Sequence, residues 1–188
     1  ADSRLLRTMC TGEPYSIPRL GDEETVDKLQ ALRLYDQYRD LITTAPLEII
    51  YSGSAELDRV RQALAAAFAT LPREEVRTIA DAVPHVCRES VQTVEDEMEV
   101  TQGKLSMGFS CGSDDMPALL LGNTLFGGSS NSKLFLNVRE KLSLCYYASS
   151  MYHRQKGIIT VSSGIEFQNY QRAYDEILSQ LAAVQNGE

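Results

Sequence analysis

The sequence predicts an α+β fold with a mixed, mostly antiparallel sheet. Three observations support this prediction. Segments with apolar residues every three or four positions predict helices, and shorter alternating segments predict strands. Gln155-Lys156-Gly157 separates two strand-like segments, as the turn of a hairpin does. In chain order we expect helix, strand, helix, a linker, two strands, two helices, two strands and a final helix.

Composition narrows the class of protein. The chain has 188 residues, of which 43% are hydrophobic and 23% charged, as in a soluble globular protein of one domain or two small ones. Its formal charge of −8 argues against a nucleic-acid surface. No apolar segment approaches the ~20 residues that span a bilayer, so we expect no membrane partner. Ala1 is interpreted as the cut end of a longer chain, because no initiator Met or signal peptide precedes it.

The four cysteines are far apart in the sequence. Cys10, Cys87, Cys111 and Cys145 form no CxxC pair, so neither a zinc knuckle nor a redox motif is present. Reduced, mostly buried thiols and a cytoplasmic location are the expectation.

The first 72 residues are predicted to form helix, strand and helix. Prolines keep residues 12–18 out of a helix, and a helix is expected from Glu23 to Leu41. Its apolar stripe has the spacing of a core face and comprises Val26, Leu29, Leu32, Leu34, Tyr35, Tyr38 and Leu41. After Pro46 we expect a strand at residues 47–51, and then a helix from Ala55 to Leu71.

The later elements follow a polar segment interrupted by Pro84, residues 73–90, which is predicted to be a linker. Strands are expected at residues 91–100 and 104–110. The helix at residues 116–126 is apolar nearly all round and is expected to be buried. A final helix is predicted at residues 167–184.

The stretch from Leu125 to Ser150, LFGGSSNSKLFLNVREKLSLCYYASS, is the most informative part of the chain. Gly127 and Gly128 end one helix, and a second helix is predicted to start near Asn131. Arg139 then falls on the last turn of that helix, and Tyr146 on the strand that follows it.

This stretch resembles the second-domain signature of the insulinase/pitrilysin-type zinc metallopeptidases and the mitochondrial-type processing peptidases. The sequence of this stretch is most similar to those of the processing-protease-like proteins of Gram-positive bacteria. It departs at Lys133, where the family usually has Arg, and at Ser143, where it usually has Gly. The resemblance implies a two-layer α/β sandwich of the metallohydrolase processing-peptidase type, with helices packed on one face of the sheet.

The resemblance also implies a domain organisation. Residues 1–72 match the end of the family's first domain, residues 73–90 the linker, and residues 91–188 the beginning of the second domain. We expect residues 1–72 to close the sheet that begins at residue 91, giving one compact domain in circularly permuted order. Closure between two chains would instead give a swapped dimer.

The chain lacks the zinc motif of the family. Such peptidases need two histidines and a glutamate on the metal and a second glutamate as base, carried as HxxEH plus a later Glu. Here His85 and His153 form no such pair, so no metal site is predicted in this chain and alone it is expected to be inactive. Zinc is expected, if anywhere, in the full-length parent.

The resemblance assigns substrate binding to Arg139 and Tyr146. In active family members the corresponding Arg and Tyr hold the substrate backbone near the metal, and both are donors suited to a peptide carbonyl or oxyanion. The alternative is that Arg139 complements a helix C-terminus and Tyr146 packs on a sheet. Gly127 and Gly128 are interpreted as structural turn residues. Cys145 could act as a thiol nucleophile only with a base beside it, and the sequence shows no recognisable motif that supplies one.

Two functions remain open at this point. The parent is a zinc endopeptidase in which this piece binds a peptide or unfolded protein substrate, or it is a non-catalytic scaffold or substrate-binding subunit that pairs with an active paralogue. The expected partners are accordingly a peptide, the rest of the parent chain or a paralogous subunit.

Overall fold

A computed structural model describes residues 2–79 and 90–188, which fall into two compact units. The first unit comprises Ala1–Arg19 with Ala82–Glu188, and the second comprises Leu20–Asp81. Residues 80–89 of the predicted linker, which include Pro84, His85 and Cys87, lie outside the described part of the chain. Closure of the sheet by residues 1–72 stays a prediction.

Helices occur in both units, and the described strands lie in the first. In chain order the elements are α1 (Asp2–Met9), α2 (Glu23–Asp27), α3 (Ala31–Thr44), α4 (Leu57–Phe68), β1 (Gly103–Ser110), α5 (Met116–Phe126), a π helix (Leu134–Lys141), β2 (Cys145–His153), β3 (Ile158–Ile165) and α6 (Tyr170–Gln185). Short 3-10 turns lie at Pro14–Ser16 and Phe167–Asn169. None of the helices in the described ranges is long and apolar enough to cross a membrane.

The sheet of the first unit has three strands in the order β1-β3-β2, all antiparallel. Leu105 of β1 pairs with Ser163 of β3, which also pairs with Ala148 of β2. The β2–β3 connection is the predicted hairpin, with Gly157 at φ 64°, a left-handed conformation that glycine adopts without strain. The prediction of this hairpin and of the strand at 104–110 is confirmed.

Helices cover one face of this sheet and build the core. Alternate strand residues point to that face, where they meet α5, the π helix and α6. The buried core consists of Leu105, Met107, Phe126, Leu134, Val138, Leu144, Ala148, Val161, Ile165, Ala173 and Ile177. The predicted α+β fold with a two-layer arrangement is therefore confirmed.

The N-terminal segment covers part of the opposite face. Ser106 of β1 hydrogen-bonds Asp2 at 2.8 Å, and a Cβ added at Gly108 would lie 2.6 Å from Sδ of Met9, so α1 packs directly on β1. Nearer the hairpin, the buried side chain of Lys156 pairs with Glu13.

The second unit consists of α2, α3, α4 and the segment that follows them. The predicted helix from Glu23 to Leu41 is interrupted at residues 28–30, where no Gly or Pro marks a break, so the prediction of one continuous helix is wrong. Asp22 caps α2 by accepting a hydrogen bond from the Thr25 amide. Arg73 donates to the carbonyls of Ile42 and Ala45 at 2.6 and 2.7 Å, which satisfies the end of α3 before Pro46.

The apolar stripe on α2 and α3 is exposed, which corrects the prediction of a core face. Its members, from Val26 to Leu41, have between 51% and 79% of their surface accessible. Amphipathic helices bury their apolar stripe only against a second layer. No such layer lies within the described residues of this unit.

Two further predictions concern burial and pairing. The strands expected at residues 47–51 and 91–100 do not form in the described residues, and their apolar side chains are largely exposed. A strand exists only when a neighbour completes its ladder, and neither segment has one in the described part of the chain. Helix α5 has the predicted bounds but is not buried all round, because Leu120, Leu121 and Leu125 face away from β2 and α6.

Candidate functional site

The two glycines after α5 bring the next helix against the sheet. The amides of Gly127 and Gly128 both donate to the carbonyl of Asn123, at 3.0 and 2.8 Å. A Cβ at Gly127 would lie 2.7 Å from Cδ1 of Leu134 and 2.7 Å from the amide of Ser150. The carbonyl of Gly127 accepts from that amide at 2.9 Å, so the turn is fastened to the edge of β2. Close approach, and not a positive φ, is the reason for glycine at this position.

The π helix that follows positions Arg139. Leu134 and Val138 are fully buried, which fixes the orientation of the helix on the core. Arg139 lies in its last turn with its guanidinium 4.7 Å from the centre of the Phe135 ring. The same guanidinium is 3.3 Å from Oε1 of Glu140, and the Arg139 side chain is 40% exposed. Two neighbours therefore hold the group at the surface.

The end of this helix is closed by a left-handed residue. Ser143 has φ 49°, and its amide donates to the carbonyl of Arg139 at 3.1 Å. The amide of Leu144 reaches back to the carbonyl of Val138 at 3.0 Å. A left-handed residue whose amide bonds the carbonyl four residues earlier ends many helices, and this residue is normally glycine. Ser143, which stands where the resembled family usually has Gly, is thus a strained position.

Tyr146 lies at a β-bulge. Cys145 pairs with Ile165, whereas Tyr147 pairs with the adjacent Gly164, so Tyr146 is the extra residue of β2. A bulge leaves its extra residue outside the ladder and redirects the side chain. Tyr146 is accordingly 60% exposed.

Arg139 and Tyr146 line the same open recess, of about 360 Å³. Its walls are formed by Arg139, Glu140, Ser143, Leu144, Cys145, Tyr146 and Glu166. The helix end, the bulge and the residue after β3 thus meet at one place. Both substrate-binding residues predicted from the sequence lie in the recess, and Gly127 and Gly128 lie outside it.

The recess combines donors with two carboxylates. The guanidinium of Arg139 and the phenol of Tyr146 can donate hydrogen bonds, and Glu140 and Glu166 can accept them. Burial raises the pKa of the Cys145 thiol, opposed by a hydrogen bond with Ser163 and by the charge of Arg139. A raised thiol pKa disfavours the nucleophilic thiolate, which argues against covalent chemistry at Cys145.

The described histidine is occupied by structural contacts. His153 has Nδ1 at 3.0 Å from the Tyr15 hydroxyl and Nε2 at 3.0 Å from Oγ1 of Thr160. Its pKa is lowered by burial, against a smaller opposing effect of Asp2. Within residues 2–79 and 90–188 there is no group of three or more His, Cys, Asp or Glu that could hold a metal ion. The residues described do not fit a catalytic zinc.

A larger depression of about 580 Å³ runs along α3 in the second unit. It is lined mainly by apolar groups such as Leu34, Tyr38 and Leu41, with the Asp40–Arg77 ion pair at its rim. We place the candidate site at the smaller recess because the hydrogen-bonding groups converge there.

The sequence did not reveal that Glu166 lines the recess or that Phe135 contacts the guanidinium of Arg139. Glu166 is distant in sequence from Arg139 and reaches the recess because Ile165, the residue before it, pairs with Cys145. Helical spacing places Phe135 on the core face, although its ring contacts the guanidinium instead. The four-residue spacing between Phe135 and Arg139 on a helix was the available signal for that contact.

Comparison with known proteins agrees with the family resemblance seen in the sequence. The sequence model of the family described as peptidase M16 inactive domain matches residues 28–188. The chain is 39% identical over 191 residues to the probable inactive metalloprotease YmfF of Bacillus subtilis strain 168, covering 98% of this chain and 44% of that protein. The chain thus spans less than half the length of this curated relative.

Two solved structures are similar to this chain. A conserved protein from Enterococcus faecalis V583 has a TM-score of 0.82 and 27% identity, over 99% of this chain and 45% of that one. The peptidase M16 inactive domain from Pseudomonas fluorescens has a TM-score of 0.71 and 17% identity, over 100% of this chain and 47% of that one. At that identity the second likeness concerns the fold alone.

Proposed function

This chain belongs to the peptidase M16 inactive-domain family, and from that premise we propose that its recess binds the backbone of an extended peptide. The insulinase-type resemblance seen in the sequence is confirmed by the family match. In the proposed role, Arg139 and Tyr146 donate hydrogen bonds to a peptide carbonyl. A peptide or an unfolded protein is the ligand class.

The observation that carries the proposal is the convergence of these two donors in one recess. Arg139 comes from a helix end and Tyr146, seven positions later in the sequence, from a β-bulge. A carbonyl oxygen accepts two hydrogen bonds, so two donors from different directions suit it. An open recess also leaves room for the flanking residues of an extended chain.

The proposed function of this chain is binding without catalysis. The described residues supply no zinc ligand set, so no chemical step is assigned to a metal here. Zinc in the full-length parent remains part of the proposal. In that case the recess would hold the substrate beside a zinc site formed elsewhere in the parent.

A second candidate is a non-catalytic subunit that pairs with an active paralogue. One observation favours it, because the relative with 39% identity is described as a probable inactive metalloprotease. The partner would then supply the zinc site, and this chain only the peptide contact. The cytoplasmic location of the chain stays a prediction. So does the closure of its sheet by residues 1–72, either within one chain or between two chains of a swapped dimer.

Peptide binding is tested by fluorescence anisotropy with a fluorescein-labelled unstructured peptide. Arg139→Ala is expected to weaken binding about tenfold, because a half-exposed charged hydrogen bond contributes about 1.5 kcal/mol. Tyr146→Phe should have a smaller effect, about fivefold, for the loss of a neutral hydrogen bond of about 1 kcal/mol. Equal affinity of wild type and Arg139→Ala would contradict the proposal.

Matched controls separate the recess from general surface effects. Arg61→Ala removes an exposed arginine of α4, and Tyr170→Phe removes a hydroxyl at the start of α6. Neither residue lines the recess, so both variants should bind the peptide as the wild type does. Zinc content and cleavage by the full-length parent, with and without the recess substitutions, then distinguish the two candidates.

A further inference from the structure

We propose that Phe135 is a positioning residue that holds the guanidinium of Arg139 over the recess. The guanidinium lies 4.7 Å from the centre of the Phe135 ring, four residues earlier on the π helix. At this distance a cation and an aromatic face attract each other. The role of Phe135 rests on the proposed function of the recess, since it serves the residue that binds the peptide.

The burial of Phe135 separates it from its neighbours on the helix. Leu134 and Val138 are fully buried members of the core, whereas Phe135 is only half-buried. Within the described residues it is also absent from the partly buried apolar side chains that pack against the core. Its ring lies outside the core cluster and contacts the Arg139 guanidinium.

A second contact alone would hold Arg139 poorly. Glu140 approaches the guanidinium at 3.3 Å, but both side chains are about half exposed, with 40% and 54% accessible. Ion pairs at such exposure contribute little and are screened by salt. The aromatic face restricts the long side chain without occupying its N–H groups, which stay available for a carbonyl. Restricting a donor before binding lowers the entropic cost of the contact.

The recess contains a reporter for the guanidinium that does not depend on any peptide. Cys145 lines the recess, and the positive charge of Arg139 lowers the pKa of its thiol, against the larger effect of burial. The hydrogen bond with Ser163 of β3 also lowers this pKa, and substitutions at position 135 on the π helix should leave it unchanged. Loss of Arg139 from its place should therefore raise the thiol pKa.

The experiment compares Phe135→Leu, Phe135→Tyr and Arg139→Gln in a Cys87→Ser, Cys111→Ser background. Cys10 is fully buried, so alkylation by neutral iodoacetamide across a pH series reports the pKa of Cys145. We expect Phe135→Leu to raise the thiol pKa of Cys145 toward its value in Arg139→Gln. Phe135→Tyr keeps an aromatic ring and should retain the wild-type value. Leu136→Ala, at an exposed position on the same helix, is the control and should leave it unchanged.

Peptide affinity is measured on the same variants with the labelled unstructured peptide. Phe135→Leu should weaken binding about two- to fivefold, the range of an exposed cation–π contact, and Phe135→Tyr should bind as the wild type does. An unchanged thiol pKa in Phe135→Leu would overturn the positioning role. A thiol pKa in Phe135→Tyr as high as in Arg139→Gln would also overturn it. A raised thiol pKa in a protein that binds no peptide would support the positioning role and refute the proposed function.

Discussion

Replacing Ser143 by glycine is expected to stabilise the first unit. Ser143 has φ 49°, and it ends the π helix at the position where such closures normally use glycine. A side chain in the left-handed conformation costs about 1–2 kcal/mol, because Cβ crowds the neighbouring carbonyl. Glycine removes that cost. It also gives the unfolded chain more freedom, which returns about 0.5–1 kcal/mol.

The difference is a net gain in the free energy of unfolding of about 0.5–1 kcal/mol. For a protein of this size, that gain raises Tm by about 1–4 °C. Urea unfolding followed by far-UV circular dichroism measures the free energy, and a thermal scan measures Tm. The chain has no tryptophan, so circular dichroism is the more direct probe.

Ser143→Ala is the matched control. It removes the same hydroxyl but keeps Cβ, so it retains the backbone strain and should not be stabilised. Equal stabilisation by alanine and glycine would show that the hydroxyl, and not the backbone conformation, is unfavourable. A Ser143→Gly protein no more stable than the wild type would refute the account of a strained helix end.

Two other perturbations follow from the fold. Gly127→Ala should destabilise the protein by about 1–3 kcal/mol, because the new Cβ would overlap Leu134 and the backbone of β2. Gly112→Ala, which meets nothing within 4 Å, should have little effect in the same urea experiment. Burial lowers the pKa of His153 below 6.5, so the unfolded chain takes up the proton first as the pH falls. Stability should be complete above about pH 6.5 and decrease below it. In His153→Gln this part of the pH dependence should be lost, and an unaltered pH profile would exclude His153 as its source.

Local sequence determined the elements whose boundaries depend on neighbouring residues. Helix α5 begins at Met116 as predicted because Asp115 caps it, accepting a hydrogen bond from the Ala118 amide. The hairpin forms where Gly157 can take a positive φ. These signals act over a few residues, so they can be read without knowledge of the fold.

Several of the predictions that failed required a distant partner. The segments at residues 47–51 and 91–100 have the composition of strands but no neighbour to pair with in the described residues. The stripe on α2 and α3 has the periodicity of a core face but remains exposed. Periodicity specifies which side of an element is apolar, and only packing decides whether that side is covered.

From the sequence alone we inferred the family, the α+β fold class, the place of Arg139 at a helix end and that of Tyr146 on the next strand. Only the folded chain shows that these two residues share a recess with Glu166. Pairing of Cys145 with Ile165 brings Glu166 to the site, and the bulge turns Tyr146 out of the ladder. Strand register depends on contacts between residues far apart in the chain, whereas helix ends and turns depend on adjacent ones.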